Sequence, residues 1–154
     1  MTYDYSVENL WEVVSSPNYL NNVHPFCKEN SIIKWNNDHH EDKILYLNNK
    51  TYIRNFVSWK ALKGYDLWIG DNNKDQSFVE WRLEKAGNRS KLTITVYPFL
   101  LSNWPRILSF LPYFLYINIK LKSYLFSVLS GIDWYIKENT PVPKNQFGKH
   151  SWFS

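Results

Sequence analysis

The groups in this chain that could carry out chemistry are few, and the first pair is His24 and Cys27 in the stretch "NNVHPFCKENSII". A thiol three residues from an imidazole has the makings of a nucleophilic site, provided the two come within hydrogen-bond reach and the surroundings favour the thiolate. Pro25 separates them in a non-helical turn, which does not aim one side chain at the other. The expected role is quieter: Phe26 and Cys27 turn inward where this loop enters a strand, the thiol packing as a small apolar group. The run "DHHED", from Asp38 to Asp42, holds only residue types that can ligate metal. Adjacent side chains diverge rather than converge on one ion, so a solvated hairpin tip is expected, and neither a metal nor a cofactor is called for.

Arg54 lies mid-strand in "TYIRNFVSW" and has two readings. Pointing inward, its guanidinium would hold a carboxylate or enolate oxygen. Pointing outward, it would pair with Glu80 or Glu84 on a neighbouring strand, the reading that the rarity of buried charge favours. Tyr52 and Phe56 share its face, and Ile53, Val57 and Trp59 the other. Both faces are apolar, so alternation alone does not say which one is inside.

The elements that position these groups follow from two changes of period. Ser6 precedes "VENLWEVV", where Val7, Leu10, Trp11 and Val14 fall at helical spacing and Glu8 sits in the first turn. This predicts a capped amphipathic helix. Pro17 suits the first turn of a second short helix that ends before Pro25. From "NSIIKW" onward the period falls to two. "KILYLNNKTYIRNFVSW" reads as a hairpin turning at Asn48 and Asn49, and "YDLWIG", "SFVEWRLEK" and "KLTITVYP" continue a meander of about six strands.

Val79, Trp81 and Leu83 share one side, opposite Glu80, Arg82 and Glu84, and Leu92, Ile94 and Val96 alternate with Thr93, Thr95 and Tyr97. One face of the sheet is therefore buried and the other wet. Helical period returns with "NWPRILSFL", expected as a short lead-in. Pro112 then opens a long helix to about Asn139, with an inner stripe of Leu121, Leu125, Val128, Leu129, Ile132 and Ile136. Only that helix is long enough to cover the sheet's apolar face. A twisted sheet curls away from a straight helix, which leaves space along one side.

Composition narrows the function classes. The chain has 154 residues, 44% hydrophobic and 21% charged, the profile of one ordinary globular domain. The aromatic share is 18%, with 8 Trp, 11 Tyr and 9 Phe, which suits a large pocket as well as a core. Net charge is +4, but Lys and Arg are scattered and form no block, so nucleic-acid binding is not expected. One cysteine excludes an internal disulfide. "MTYDYSVENLW" lacks the make-up of a signal peptide, so a cytoplasmic location is expected. The uncharged run between Arg106 and Lys120 is 13 residues broken by Pro112, short of the ~18 that a membrane span needs. The tail, 140–154, is expected to fold back over a domain formed by 1–139, because Phe147, Trp152 and Phe153 are costly to leave in water. A partner or membrane-surface anchor is the less favoured reading of the same residues.

The order "ENLWEVVSSPNYLNNVHPFC", a meander carrying "YDLWIG" and "VEWRLEK", and a final long helix resemble the SRPBCC (START/Bet v 1-like, polyketide cyclase/dehydrase-like) superfamily over nearly the whole chain. The closing "PVPKNQFGKHSWFS" is similar to an uncharacterised bacterial branch of it. The resemblance implies an α+β helix-grip fold, a curved antiparallel sheet gripping the long helix around an apolar cavity. It also implies that the His24–Cys27 segment lies beside the cavity mouth. Members usually open with a full first strand, whereas only "MTYDY" precedes Ser6 here, so that strand must be short.

The expected cavity residues are Phe26, Arg54, Phe56, Trp59, Trp81, Tyr97, Tyr124 and Ser130, with Tyr124 and Ser130 as sparse polar contacts that orient a ligand. The expected function is binding, with carriage as its extension, of a small hydrophobic molecule or lipid. The alternative is a cyclase- or dehydrase-like enzyme in the same cavity. No catalytic constellation stands out, and the sequence does not reveal the oligomeric state.

Overall fold

In the structure, a computed structural model, residues 1–71, 76–99 and 112–154 are described. Ser6 caps α1 (Val7–Val14) as expected: its hydroxyl accepts the Asn9 N–H at 3.3 Å, and Val7, Leu10 and Val14 are buried. α2 (Leu20–Val23) is a single turn that gives way to extended backbone at His24, before Pro25.

The described strands are β1 (Thr2–Tyr3), β2 (Cys27–Trp35), β3 (His40–Tyr46), β4 (Thr51–Lys60), β5 (Gly64–Gly70), β6 (Gln76–Ala86) and β7 (Arg89–Tyr97). They form one antiparallel sheet in the order β1-β7-β6-β5-β4-β3-β2. The strand beyond the expected meander is β1, whose two residues pair with Lys91 and Ser90. α3 (Pro112–Glu138) runs to the expected end, while the lead-in expected at "NWPRILSFL" lies outside the described residues.

Alternation holds on β6, where Val79, Trp81 and Leu83 are buried, and on β7, where Tyr97 faces outward. On β4 it slips. Phe56 pairs with Leu67 and Ser58 with Asp66, so Val57 is an extra, bulged residue and is 54% exposed. The slip turns Trp59 to the same side as Phe56, whereas unbroken alternation had set it with Ile53 and Val57.

Two hydroxyls near the start of the chain reach α3. The Tyr3 hydroxyl donates to the Leu129 carbonyl at 3.0 Å, and the Tyr5 hydroxyl to Asp133 at 2.7 Å. Gly131 lets the helix press onto the end of α2: a Cβ there would stand 2.0 Å from the Val23 carbonyl oxygen and 3.2 Å from Pro25 Cδ. That contact sets the position of His24, the next residue after Val23. Gly131→Ala should therefore destabilise the fold by about 1–3 kcal/mol, despite alanine's better helix propensity. Urea denaturation measures it; an unchanged or raised midpoint would mean that α3 does not seat on α2.

Candidate functional site

Between sheet and α3 lies a cavity of about 430 Å³. The sheet supplies its apolar floor from alternate positions, with Ile44 on β3, Leu67 and Ile69 on β5, Val79 on β6, and Ile94 and Val96 on β7. α3 supplies Leu121, Tyr124, Leu125 and Val128, which recur at three- and four-residue spacing. One end of the wall is formed by Gly70, Asp71, Ser77 and Phe99.

Of the residues expected to line a cavity, Arg54, Trp81 and Tyr124 are in its wall. The other five are elsewhere, each for a local reason. Phe26 lies behind the wall, stacked on Tyr124 with ring centroids 5.9 Å apart. Phe56 and Trp59 belong to a packed aromatic cluster at another part of the sheet. There Trp59 stacks on His40 at 4.1 Å and on Tyr65 at 5.1 Å, and Phe56 meets Trp35 edge-on at 5.6 Å. Tyr97 is on the outer face, where its hydroxyl donates to Glu80 at 3.2 Å. Ser130 is two residues past Val128, which turns it about 200° around the helix.

Arg54 corrects the outward reading. It is 3% exposed and pairs not with Glu80 or Glu84 but with Asp42, which is fully buried. Nε donates to Asp42 Oδ1 at 2.7 Å, and Nη2 donates to Oδ2. Nη1 donates to the Tyr19 hydroxyl at 3.0 Å, which is 2.8 Å from the Tyr65 hydroxyl. The guanidinium lies 5.2 Å from the ring centres of both Tyr19 and Phe56. Asp42 is also a correction to the solvated tip expected at "DHHED": the turn ends at His39, and from His40 the chain is strand. Sequence reasoning missed Asp42, although Asp42, Ile44 and Tyr46 share one face at period two, the signal that would have found it.

His24, expected only to lie beside the cavity mouth, is in the wall. Its Nδ1 accepts the Phe26 N–H at 3.2 Å, and its Nε2 lies 2.8 Å from the Tyr124 hydroxyl, itself 3.2 Å from the Tyr46 hydroxyl. Burial lowers its pKa from 6.5 to about 3, helped by the positive charges of Arg54 and Lys144, so the ring is neutral. Cys27 is buried, and burial pushes its thiol up to about 11; its sulfur contacts Asn21 Oδ1 at 3.9 Å. A protonated thiol with no bond to His24 is not a nucleophile. Among the described residues no cluster of His, Cys, Asp or Glu could hold a metal ion, and no helix is long and apolar enough to cross a membrane.

The tail completes the wall with Trp152 and Phe153. Phe153 stacks on Tyr46 at 4.4 Å and meets Tyr124 at 4.7 Å. Backbone bonds tie the tail down: Val142 N–H donates to Asn22 at 2.8 Å and Asn145 N–H to Pro25 at 2.9 Å. His150 accepts the Trp152 N–H on Nδ1 and donates from Nε2 to the Lys120 carbonyl at 3.0 Å, clipping the tail to α3.

No protein-family model matches the sequence, and no curated protein is similar to it. Solved structures do share its shape. Ara h 8.0201 superposes with a TM-score of 0.62 at 18% identity, over 90% of this chain and 94% of the other. CalU16 from Micromonospora echinospora gives 0.65 at 14% identity, over 99% of this chain and 71% of the other. The di-domain ARO/CYC StfQ of the steffimycin biosynthetic pathway gives 0.63 at 5% identity, over 90% of this chain and 44% of StfQ. At these identities the likeness is one of fold.

Two consequences follow for stability. Asp42→Asn leaves a buried guanidinium without its counter-charge and should cost about 3–5 kcal/mol in chemical denaturation, whereas Asp42→Leu with Arg54→Met should recover most of that loss. Equal losses in the single and the double variant would mean that the pair is not the source. His24 has a folded pKa below its unfolded one, so its contribution is complete above about pH 6.5 and is lost as pH falls toward 3. Between pH 5 and 6.5, stability should drop by up to about 1.4 kcal/mol per pH unit on account of this group, and His24→Gln should flatten that slope.

Proposed function

We propose that this chain, which has the helix-grip fold of the SRPBCC superfamily, binds a small hydrophobic molecule or lipid between its sheet and its long helix, in the cytoplasm. The observation that carries the reading is the cavity itself, about 430 Å³, with an apolar floor and roof and a few polar groups gathered at His24, Tyr46, Arg54 and Tyr124. A few convergent polar groups in an apolar hollow are what fix the orientation of a small ligand. Taking about 300 Å² of apolar ligand surface out of water supplies about 7 kcal/mol gross, enough for micromolar binding after the costs of association. Residues 1–139 form the binding domain on this reading, and 140–154 are the strap that closes its wall.

The second reading, a cyclase- or dehydrase-like enzyme in the same hollow, has Arg54 in the wall in its favour, as a charge to set beside a developing enolate. Neither Asp42 nor His24 is free to act as its base. Both Asp42 oxygens are bonded to Arg54, and both ring nitrogens of His24 are engaged. Binding without turnover needs neither.

Native mass spectrometry of the protein as purified from cells is the direct test. A discrete added mass that organic extraction removes, and that Leu125→Trp prevents by filling the cavity, is the expected result. A bare mass that no apolar compound shifts, even at millimolar concentration, would reject the binding reading.

A further inference from the structure

The three-residue chain in the cavity wall does not close on itself. A backbone N–H can only donate, so the Phe26 N–H at 3.2 Å leaves His24 Nδ1 without a proton. The ring is neutral, so its single proton is on Nε2 and is donated to the Tyr124 hydroxyl oxygen at 2.8 Å. Tyr124 and Tyr46 then bring two hydroxyl protons to a contact of 3.2 Å that uses only one. If Tyr124 donates to Tyr46, the Tyr46 proton is left over; if Tyr46 donates, the Tyr124 proton is. Among the described residues neither hydroxyl bonds any other acceptor. Both phenols stay protonated, because burial raises their pKa values, and both line the cavity.

We propose that this unused hydroxyl proton is the anchor of the site, and that the ligand is an otherwise apolar, uncharged molecule carrying a carbonyl or hydroxyl oxygen that accepts it. A buried donor with no acceptor is costly, and a ligand oxygen placed there removes the cost. Arg54 explains why the ligand is uncharged. Its guanidinium already has the Asp42 carboxylate as counter-ion, so a ligand carboxylate would bring a second negative charge to one positive group inside an apolar hollow. The inference rests on the binding reading and names the class of ligand for it.

A matched pair of probes separates the two claims: 2-acetylnaphthalene and 2-ethylnaphthalene, alike in shape but differing in one carbonyl oxygen. Each is titrated against the wild type, against Tyr46→Phe, and against a triple variant, His24→Phe with Tyr46→Phe and Tyr124→Phe. The triple variant is needed because removing both phenols alone would free His24 Nε2–H to take their place. The wild type and Tyr46→Phe should bind the ketone with its carbonyl stretch at the hydrogen-bonded position, since Tyr46→Phe still leaves one hydroxyl proton over. In the triple variant the ratio of ketone to hydrocarbon affinity should fall about tenfold, whatever the hydrocarbon's own affinity, and the stretch should return to its apolar position.

A ketone-to-hydrocarbon affinity ratio and a stretch identical in all three proteins would overturn the anchor while leaving the cavity reading intact. Failure of the wild type to bind either probe would overturn both. Should the triple variant not fold, ring-labelled tyrosine in the wild type decides. The ketone, and not the hydrocarbon, should shift the Cζ resonance of Tyr46 or Tyr124, and equal shifts from both probes would refute the anchor.

Discussion

A positive charge that cannot leave the interior organises this protein. Arg54 is enclosed by Asp42, the Tyr19 hydroxyl and two aromatic faces, so its counter-charge and partners for three of its five N–H groups are supplied from within. Burying such a pair is expensive, and it is tolerated only where geometry and extra hydrogen bonds offset desolvation. The partners come from distant parts of the chain: Asp42 from β3, Arg54 from β4, Tyr19 from the start of α2 and Tyr65 from β5. The pair therefore ties the helical layer to the middle of the sheet.

That fixed point also divides the interior. Beyond it, Trp11, Trp35, Phe56, Trp59 and Tyr65 interlock at centroid distances of 5.1 to 6.3 Å, leaving little room. On the other side the floor is aliphatic, built from residues such as Ile44, Leu67, Ile69 and Ile94, and the hollow opens there. Bulky rings fill volume efficiently when they meet edge-on or stacked. A flat row of branched aliphatic side chains under a straight helix does not reach across the gap that sheet twist creates. The high aromatic content thus serves both the plug and the pocket, whose walls include Tyr46, Tyr52, Trp81, Tyr124, Trp152 and Phe153.

Histidine is used twice in the same local form. His24 and His150 each accept, on Nδ1, the N–H of the residue two further on, which leaves Nε2 to reach across to α3. One ties the end of α2 to the helix and the other ties down the tail. Neither has a carboxylate partner, and burial lowers the pKa of both, so they act as neutral structural donors rather than as bases. The same fold carries proteins as unlike as Ara h 8.0201 and StfQ, so the chemistry of a member is decided by such side chains in the wall and not by the architecture.

Much of the architecture was legible in the chain alone, because period and capping act locally. Ser6 before an apolar helical stripe, the alternation of Val79, Trp81 and Leu83, and an uninterrupted helix after Pro112 each report a neighbourhood of a few residues. From these the order of short helices, sheet and long helix, the buried side of β6 and β7, and the place of the hollow follow. What the chain alone left open was decided by contacts between residues far apart in sequence. The bulge at Val57, which moved Trp59 across the sheet, depends on how β4 meets β5. The inward turn of Arg54 depends on Asp42 lying opposite it across the β3–β4 ladder. The partnership of His24 with Tyr124 joins positions 100 residues apart. Periodicity states which side chains share a face; only packing decides which face a charge can afford to be on, because that depends on whether a counter-charge waits there.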